Sequence, residues 1–171
     1  TVASYMIEGR SSNRAKALEF SVTRPQWFLD LINRLVDASI SFLNMQIAAG
    51  AEVVQIFDSW AGDIGISGLD EFVKFPIKRI VEGVRSVHPG FPVIVFARGV
   101  GGYHREIASA TGASAVGVEN GVRLYDVFEN LPKDVAIQGN LSPELLLGQR
   151  DAIEAGVTAV ACGASACAQA W

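Results

Sequence analysis

Short apolar runs alternate along the chain with longer segments whose apolar residues return every three or four positions. Five runs read as extended: Val2 to Ile7, Glu52 to Phe57, Phe91 to Phe96, Ala115 to Val118 and Val135 to Gln138. Brief, nearly continuous apolar runs bounded by turn residues are the mark of strands buried on both faces. Thr23 reads as the N-cap of a long helix with Pro25 just inside it, a stripe through Phe28, Ile32, Leu35 and Leu43, and Gly50 at its end. Ser67 with Asp70 resembles a capping box for a second helix, which buries Phe72, Val73, Ile77, Ile80 and Val84 and which Pro76 should kink. Shorter helices are expected from about Arg105 to Gly112 and around Tyr125 to Asn130, and Ser142-Pro143-Glu144 opens the last one.

Strand and helix in alternation, with buried strands, predict an α/β fold around a parallel sheet. Two architectures fit 171 residues. Five βα units make a complete flavodoxin-like domain with a five-stranded parallel sheet. They also make a partial TIM (β/α)8-type barrel, a fold that needs about 250 residues when whole. Periodicity does not separate the two. The ends favour the partial barrel, because the chain lacks an initiator Met and begins on an apolar run. The final helix, amphipathic from Asp151 to Val160, then passes into an Ala- and Cys-containing run without a stop signal. Residues 1–160 are therefore read as one domain and 161–171 as an atypical tail.

Composition narrows the partners. Fourteen Lys and Arg against 18 Asp and Glu leave a net charge of −4, which argues against a broad nucleic-acid footprint. No apolar run approaches the ~20 residues of a membrane span. Two cysteines, Cys162 and Cys167, make no disulfide framework, and neither has a nearby His or second cysteine pair to form a metal site. A cytoplasmic location follows as the default.

In either architecture the residues just after the strand C-termini are the site candidates. Gln55, Phe57 and Ser59 share one parity, so an apolar wall and a hydroxyl fall on the same side, with Asp58 on the other. Tyr5 stands near the end of the first expected strand, where a buried Tyr needs a single hydrogen-bond partner. Glu8 just beyond reads as a structural cap. Arg98-Gly99-Val100-Gly101-Gly102 is a basic glycine turn whose N–H groups suit an anion. It lacks the Lys-Ser/Thr of a phosphate loop. His104 reads as an exposed, inert histidine at a helix start, and His88 lies at the opposite end of the strands. A mouth with two hydroxyls, an aromatic wall and a basic turn suits a flat, carboxylate-bearing organic ligand.

Several segments carry a more specific resemblance. Thr1 to Gly9 is similar to the TxxxYMxEGG segment of the uroporphyrinogen decarboxylase family, and Gln55 to Gly62 to its QxFDSWAG segment. Phe75 to Ile80 resembles its LPYLKRI helix, Val93 to Gly101 its VIxFxKGxG strand, and Gln138 to Pro143 its QGNLDP turn. They occur in the family's order over roughly residues 1–155. The resemblance implies a TIM-type barrel, homodimeric as a full-length protein, that removes the four acetate carboxyls of uroporphyrinogen III to give coproporphyrinogen III in porphyrin and heme synthesis. It implies no metal and no organic cofactor, because the pyrrole is itself the electron sink. Protonation of a ring carbon gives a cation that loses CO2, and a carboxylate near the pyrrole N–H groups stabilises that cation. Matched position by position, the substrate-binding Tyr falls on Tyr5, the substrate-binding Ser on Ser59, and a cleft-lining aromatic on Phe57.

The resemblance places the catalytic Asp and a substrate-binding Arg upstream of residue 1, so no catalytic residue is assigned here and the fragment is expected to be inactive alone. Four departures stand out. Arg10 replaces the second Gly of EGG, Arg98 a Lys, Val118-Glu119-Asn120 an LDW, and Ser142 the Asp of QGNLDP. Of the mouth's cations only Arg10, Arg98 and Arg105 are at hand for a polycarboxylate. Two alternatives are carried alongside: a zinc-dependent corrinoid or coenzyme M methyltransferase of the same superfamily, and a non-catalytic α/β binding module.

Overall fold

The computed structural model describes residues 1–10 and 13–168. Four strands, β1 (Val54–Asp58), β2 (Val93–Ala97), β3 (Ala115–Gly117) and β4 (Ala136–Gln138), form one parallel sheet in the order β1-β2-β3-β4. The order decides between the two expected architectures. A flavodoxin-like sheet runs 2-1-3-4-5 and reverses direction once. Here every strand is added to the same edge, as in a barrel wall.

The curl of the sheet is visible in one bond. Register places Gln55, Phe57, Phe96, Gly117 and Gln138 on one face. Gln55 on β1 donates from Nε2 to Oε1 of Gln138 on β4 at 2.9 Å. Three strand spacings of ~4.8 Å separate those strands along the sheet, so side chains of this length meet only across a concave surface. Gly117 makes room inside it: a Cβ there would stand 2.7 Å from the Phe96 ring. The opposite, convex face carries Val54, Val93, Val95, Ala97 and Val116, all buried.

Helices cover the convex face. After β1 the chain runs through α4 (Ile66–Leu69) and a π-helical turn (Asp70–Lys74) into α5 (Phe75–Val87). α6 (His104–Thr111) follows β2 and α7 (Leu124–Asn130) follows β3. A 3-10 turn (Pro143–Leu147) and α8 (Arg150–Ala168) follow β4. Ahead of β1 lie α1 (Val2–Glu8), α2 (Ala15–Thr23) and α3 (Pro25–Ala48). Phe28, Ile32, Val36 and Leu43 of α3 join Ile77, Ile80 and Val84 of α5 and the β2 valines in the main core. A smaller cluster of Ala108, Val116, Val118, Val127 and Leu131 lies under α7.

Several expectations are corrected. The first extended run is helical, so the strands among the described residues number four, not five. Its apparent alternation hides a helical pair: Ala3 is buried and Ile7 packs on the core one turn later, while Val2, Tyr5 and Met6 are exposed. Gly9, at φ +71°, closes the helix by donating to the Tyr5 carbonyl, a stop a strand would not need. Thr23 ends the unforeseen α2 instead of capping α3: its hydroxyl bonds back to the Glu19 carbonyl at 2.8 Å, and Pro25 opens α3 after Arg24. Ser67 and Asp70 form no capping box. The helix starts at Ile66 after Gly65, and Asp70 instead pairs with Lys74. Pro76 sits in the first turn of α5. The wider winding just before it accommodates a residue with no N–H to give. The final helix persists through Ala168 instead of dissolving after Val160. Residues 169–171, and the side chains of Cys162 and Cys167, lie outside the described residues. Among the described residues no helix is long and apolar enough to cross a membrane.

Candidate functional site

The strand C-termini deliver four loops to one end of the sheet, and neighbouring loops are stitched together. The Arg98 N–H donates to the Asp58 carbonyl at 3.0 Å, and the Arg98 carbonyl accepts from Gly62 N–H at 2.9 Å. Gly62 is required for this: a Cβ there would lie 2.0 Å from the Gly99 carbonyl oxygen. On the far side, Asn140 donates from Nδ2 to the carbonyls of Glu119 (2.9 Å) and Val122 (2.6 Å).

Tyr5, Ser59 and Phe57 all reach this end, by different routes. Tyr5 comes from α1, not from a strand, and its ring lies 4.3 Å from that of Trp60, the neighbour of Ser59. Ser59 is half-buried in the turn after β1, with no protein partner for its hydroxyl among the described residues. Phe57 stands on the concave face, 62% exposed, with the Phe96 ring edge-on at 5.9 Å. Asp58 points to the other side, as parity requires, and accepts the Thr1 hydroxyl at 2.6 Å. That contact ties α1 to β1. Glu8 is structural: it accepts the Ala17 N–H at the start of α2 at 3.0 Å.

Two expectations about the glycine turn change. His104 is not exposed: it retains 4% of its surface. Its Nε2 lies 3.7 Å from Glu119 Oε2, and neither atom, nor Nδ1, has a hydrogen-bond partner. Burial lowers its pKa below the ordinary 6.5, and the Glu119 carboxylate opposes that shift. Nor is the turn an open anion cradle at Gly99, whose N–H donates to Glu119 Oε1 at 3.0 Å. A carboxylate of the chain's own takes the place an external anion was expected to fill. Arg98, Arg105 and Arg10 are exposed. His88 is half-buried beside Phe91 at the other end of the strands.

The sequence reading gave no site role to Trp60, Arg14, Glu119 or Asn140. The Arg14 guanidinium stands over the Trp60 ring at 4.9 Å and also pairs with Asp63, so Trp60 is held by Tyr5 and Arg14 together. No spacing signal points to Arg14, which sits in a left-handed conformation at φ 63° between two helices. An apolar cleft of about 160 Å³ lies behind the sheet beside β1, lined by Phe28, Ile32, Val36, Ile56 and Ile77, and reaches Asp58 and Trp60 on either side of Ser59.

A sequence model of one family, described as Uroporphyrinogen decarboxylase (URO-D), matches residues 1–167. The chain belongs to the uroporphyrinogen decarboxylase family. Curated relatives carry the same name. The protein of Paracoccus denitrificans (strain Pd 1222) is 42% identical over 148 residues, 86% of this chain and 43% of the relative. That of Sinorhizobium fredii (strain NBRC 101917 / NGR234) is 41% identical over 161 residues, covering 92% of this chain and 46% of the relative. That of Mesorhizobium japonicum (strain LMG 29417 / CECT 9101 / MAFF 303099) is 39% identical over 161 residues, 94% and 47% respectively. The chain thus spans about half the length of the curated relatives it matches, as a fragment of a uroporphyrinogen decarboxylase would. Four unidirectional parallel strands are correspondingly about half of an eight-stranded barrel.

Proposed function

We propose that these residues form one wall of a uroporphyrinogen-binding site, in a protein that removes carboxyl groups from the acetate side chains of that tetrapyrrole. The observation that carries the reading is the convergence of Tyr5, Ser59 and Phe57 at one strand end, in a chain whose family relatives are named for that reaction. The Tyr5 and Ser59 hydroxyls offer hydrogen bonds to substrate carboxylates. Phe57 and Phe96 offer an apolar surface for a pyrrole and lower the local polarity, which strengthens any ion pair formed above them. Arg98 brings positive charge to the same rim. The carboxylate that would meet the pyrrole N–H groups, a homodimeric partner and a cytoplasmic setting belong to this proposal as the family resemblance implies them. The reaction as a whole requires residues beyond these.

Binding is the test. Uroporphyrin, an oxidised octacarboxylate analogue, is titrated into the chain while tryptophan fluorescence is followed, since Trp60 lies beside Ser59. The expected result is saturable quenching, weakened roughly five- to tenfold by Tyr5→Phe or Ser59→Ala, the worth of one hydrogen bond. Quenching that is absent, or unchanged in both variants, overturns the reading.

A further inference from the structure

Glu119 bonds to the loops on both sides of its own. Its Oε1 accepts from Gly99 N–H in the turn after β2, and its carbonyl accepts from Asn140 after β4. Arg98 immediately precedes Gly99, and its own N–H and carbonyl are both held by the loop after β1. The backbone around Arg98 is therefore pinned from one side by Asp58 and Gly62 and from the other by a single carboxylate oxygen. Gly99 sits at φ +78°, in a region glycine enters and leaves freely, so the hydrogen bond and not an intrinsic preference fixes the turn there. The second carboxylate oxygen is buried without a donor and faces the equally buried His104 ring across 3.7 Å. Buried polar atoms are normally bonded. The neutral ring has one N–H to share between the Gly101 backbone and Glu119, whereas the imidazolium carries one on each nitrogen and always presents a donor to the facing Oε2.

We propose that Glu119 is a positioning residue for Arg98, fixing the turn that presents its guanidinium at the mouth, and that a proton on His104 changes how firmly Glu119 does so. The other ionisable groups on the adjoining elements are Arg98 on the turn, Arg105 and Glu106 on α6, and Arg123 with Asp126 at α7, of which Arg105, Arg123 and Asp126 line the cleft beside His104. The last two bond each other at 2.8 Å. The hold on the turn is independent of any ligand. Its consequence for a carboxylate-bearing ligand rests on the function proposed above.

The first test uses NMR on the ligand-free, ¹⁵N-labelled chain. The Gly99 amide resonance is expected to move with the same midpoint as the His104 ring. In Glu119→Gln, which keeps an oxygen for Gly99 but removes the charge that favours the imidazolium, the His104 midpoint falls further. A Gly99 amide that stays still while His104 titrates, or a His104 midpoint unmoved by Glu119→Gln, overturns the proposal. Should Glu119→Gln not fold, His104→Asn serves instead, and persistence of the Gly99 titration then counts against the proposal. The second test is a double-mutant cycle with uroporphyrin at pH 7.5. Arg98→Ala and Glu119→Ala are each expected to weaken binding roughly tenfold, and the double variant no more than either. Losses that multiply refute the positioning of Arg98. A wild-type chain that binds no uroporphyrin refutes the tetrapyrrole reading, while the ligand-free test still decides this one.

Discussion

The two ends of the sheet are tied by side chains of opposite habit. At the N-terminal ends of the strands Arg85 makes three bonds: to the Phe91 carbonyl (3.3 Å), the Gly112 carbonyl (2.7 Å) and the Ser114 hydroxyl (2.9 Å). Ser114 Oγ in turn accepts the Val93 N–H at 3.2 Å. Three of the five guanidinium N–H groups there are bonded inside the chain. At the C-terminal ends Glu119 spends one oxygen on Gly99 and leaves the other facing His104 without a bond, while the Ser59 hydroxyl has no partner among the described residues and Arg98 is exposed. A closed network stabilises a fold. An open one retains polar groups for something else, at some expense in stability.

The comparison breaks most sharply at Gly62. An added methyl there would overlap the Gly99 backbone, which is not the flexible end of a side chain. Gly62→Ala is expected to destabilise by about 3 kcal/mol, the upper end of the cost of overpacking, and to separate the first two loops. Thermal unfolding measures the first effect, and weakened uroporphyrin quenching the second. Next comes Arg85→Ala, which removes three bonds at the closed end. The expected loss is about 2 kcal/mol by denaturant unfolding, with uroporphyrin binding unchanged in the folded protein. A binding defect in this variant would mean that the two ends are not independent.

The smallest effect is the pH dependence at His104. Its folded pKa is lowered by burial, so the neutral ring is the form the fold prefers. That preference contributes stability fully present above the unfolded value near 6.5. It is lost as pH falls below 6.5 toward the folded value. Denaturation midpoints are expected to fall between pH 7 and pH 5, and to fall less in His104→Asn. Equal slopes in the two proteins would remove His104 from the acid response.

Much of this was legible in the residues. The strands at β1 to β4 announce themselves as short apolar runs, and QIFDSWAG with QGN marks the ends of β1 and β4. Strand order was not legible, because periodicity carries no information on which edge a strand joins. The helix at Val2 was misread because six residues give too little length to separate a period of 2 from one of 3.6. Tyr5 reached the site from the wrong element for that reason, although its gap of fifty-odd residues from Ser59 was bridged by the family resemblance. His104 was misplaced because sequence shows that a histidine opens a helix, and not that a glutamate after the next strand closes over it. Arg14 and Asn140 act through loop geometry alone.

The amide contact between Gln55 and Gln138 has a further consequence. Like a hoop joining the outer staves of half a cask, it fixes how far the first and fourth strands spread. The width of the trough is therefore restrained from within, by residues of its own concave face.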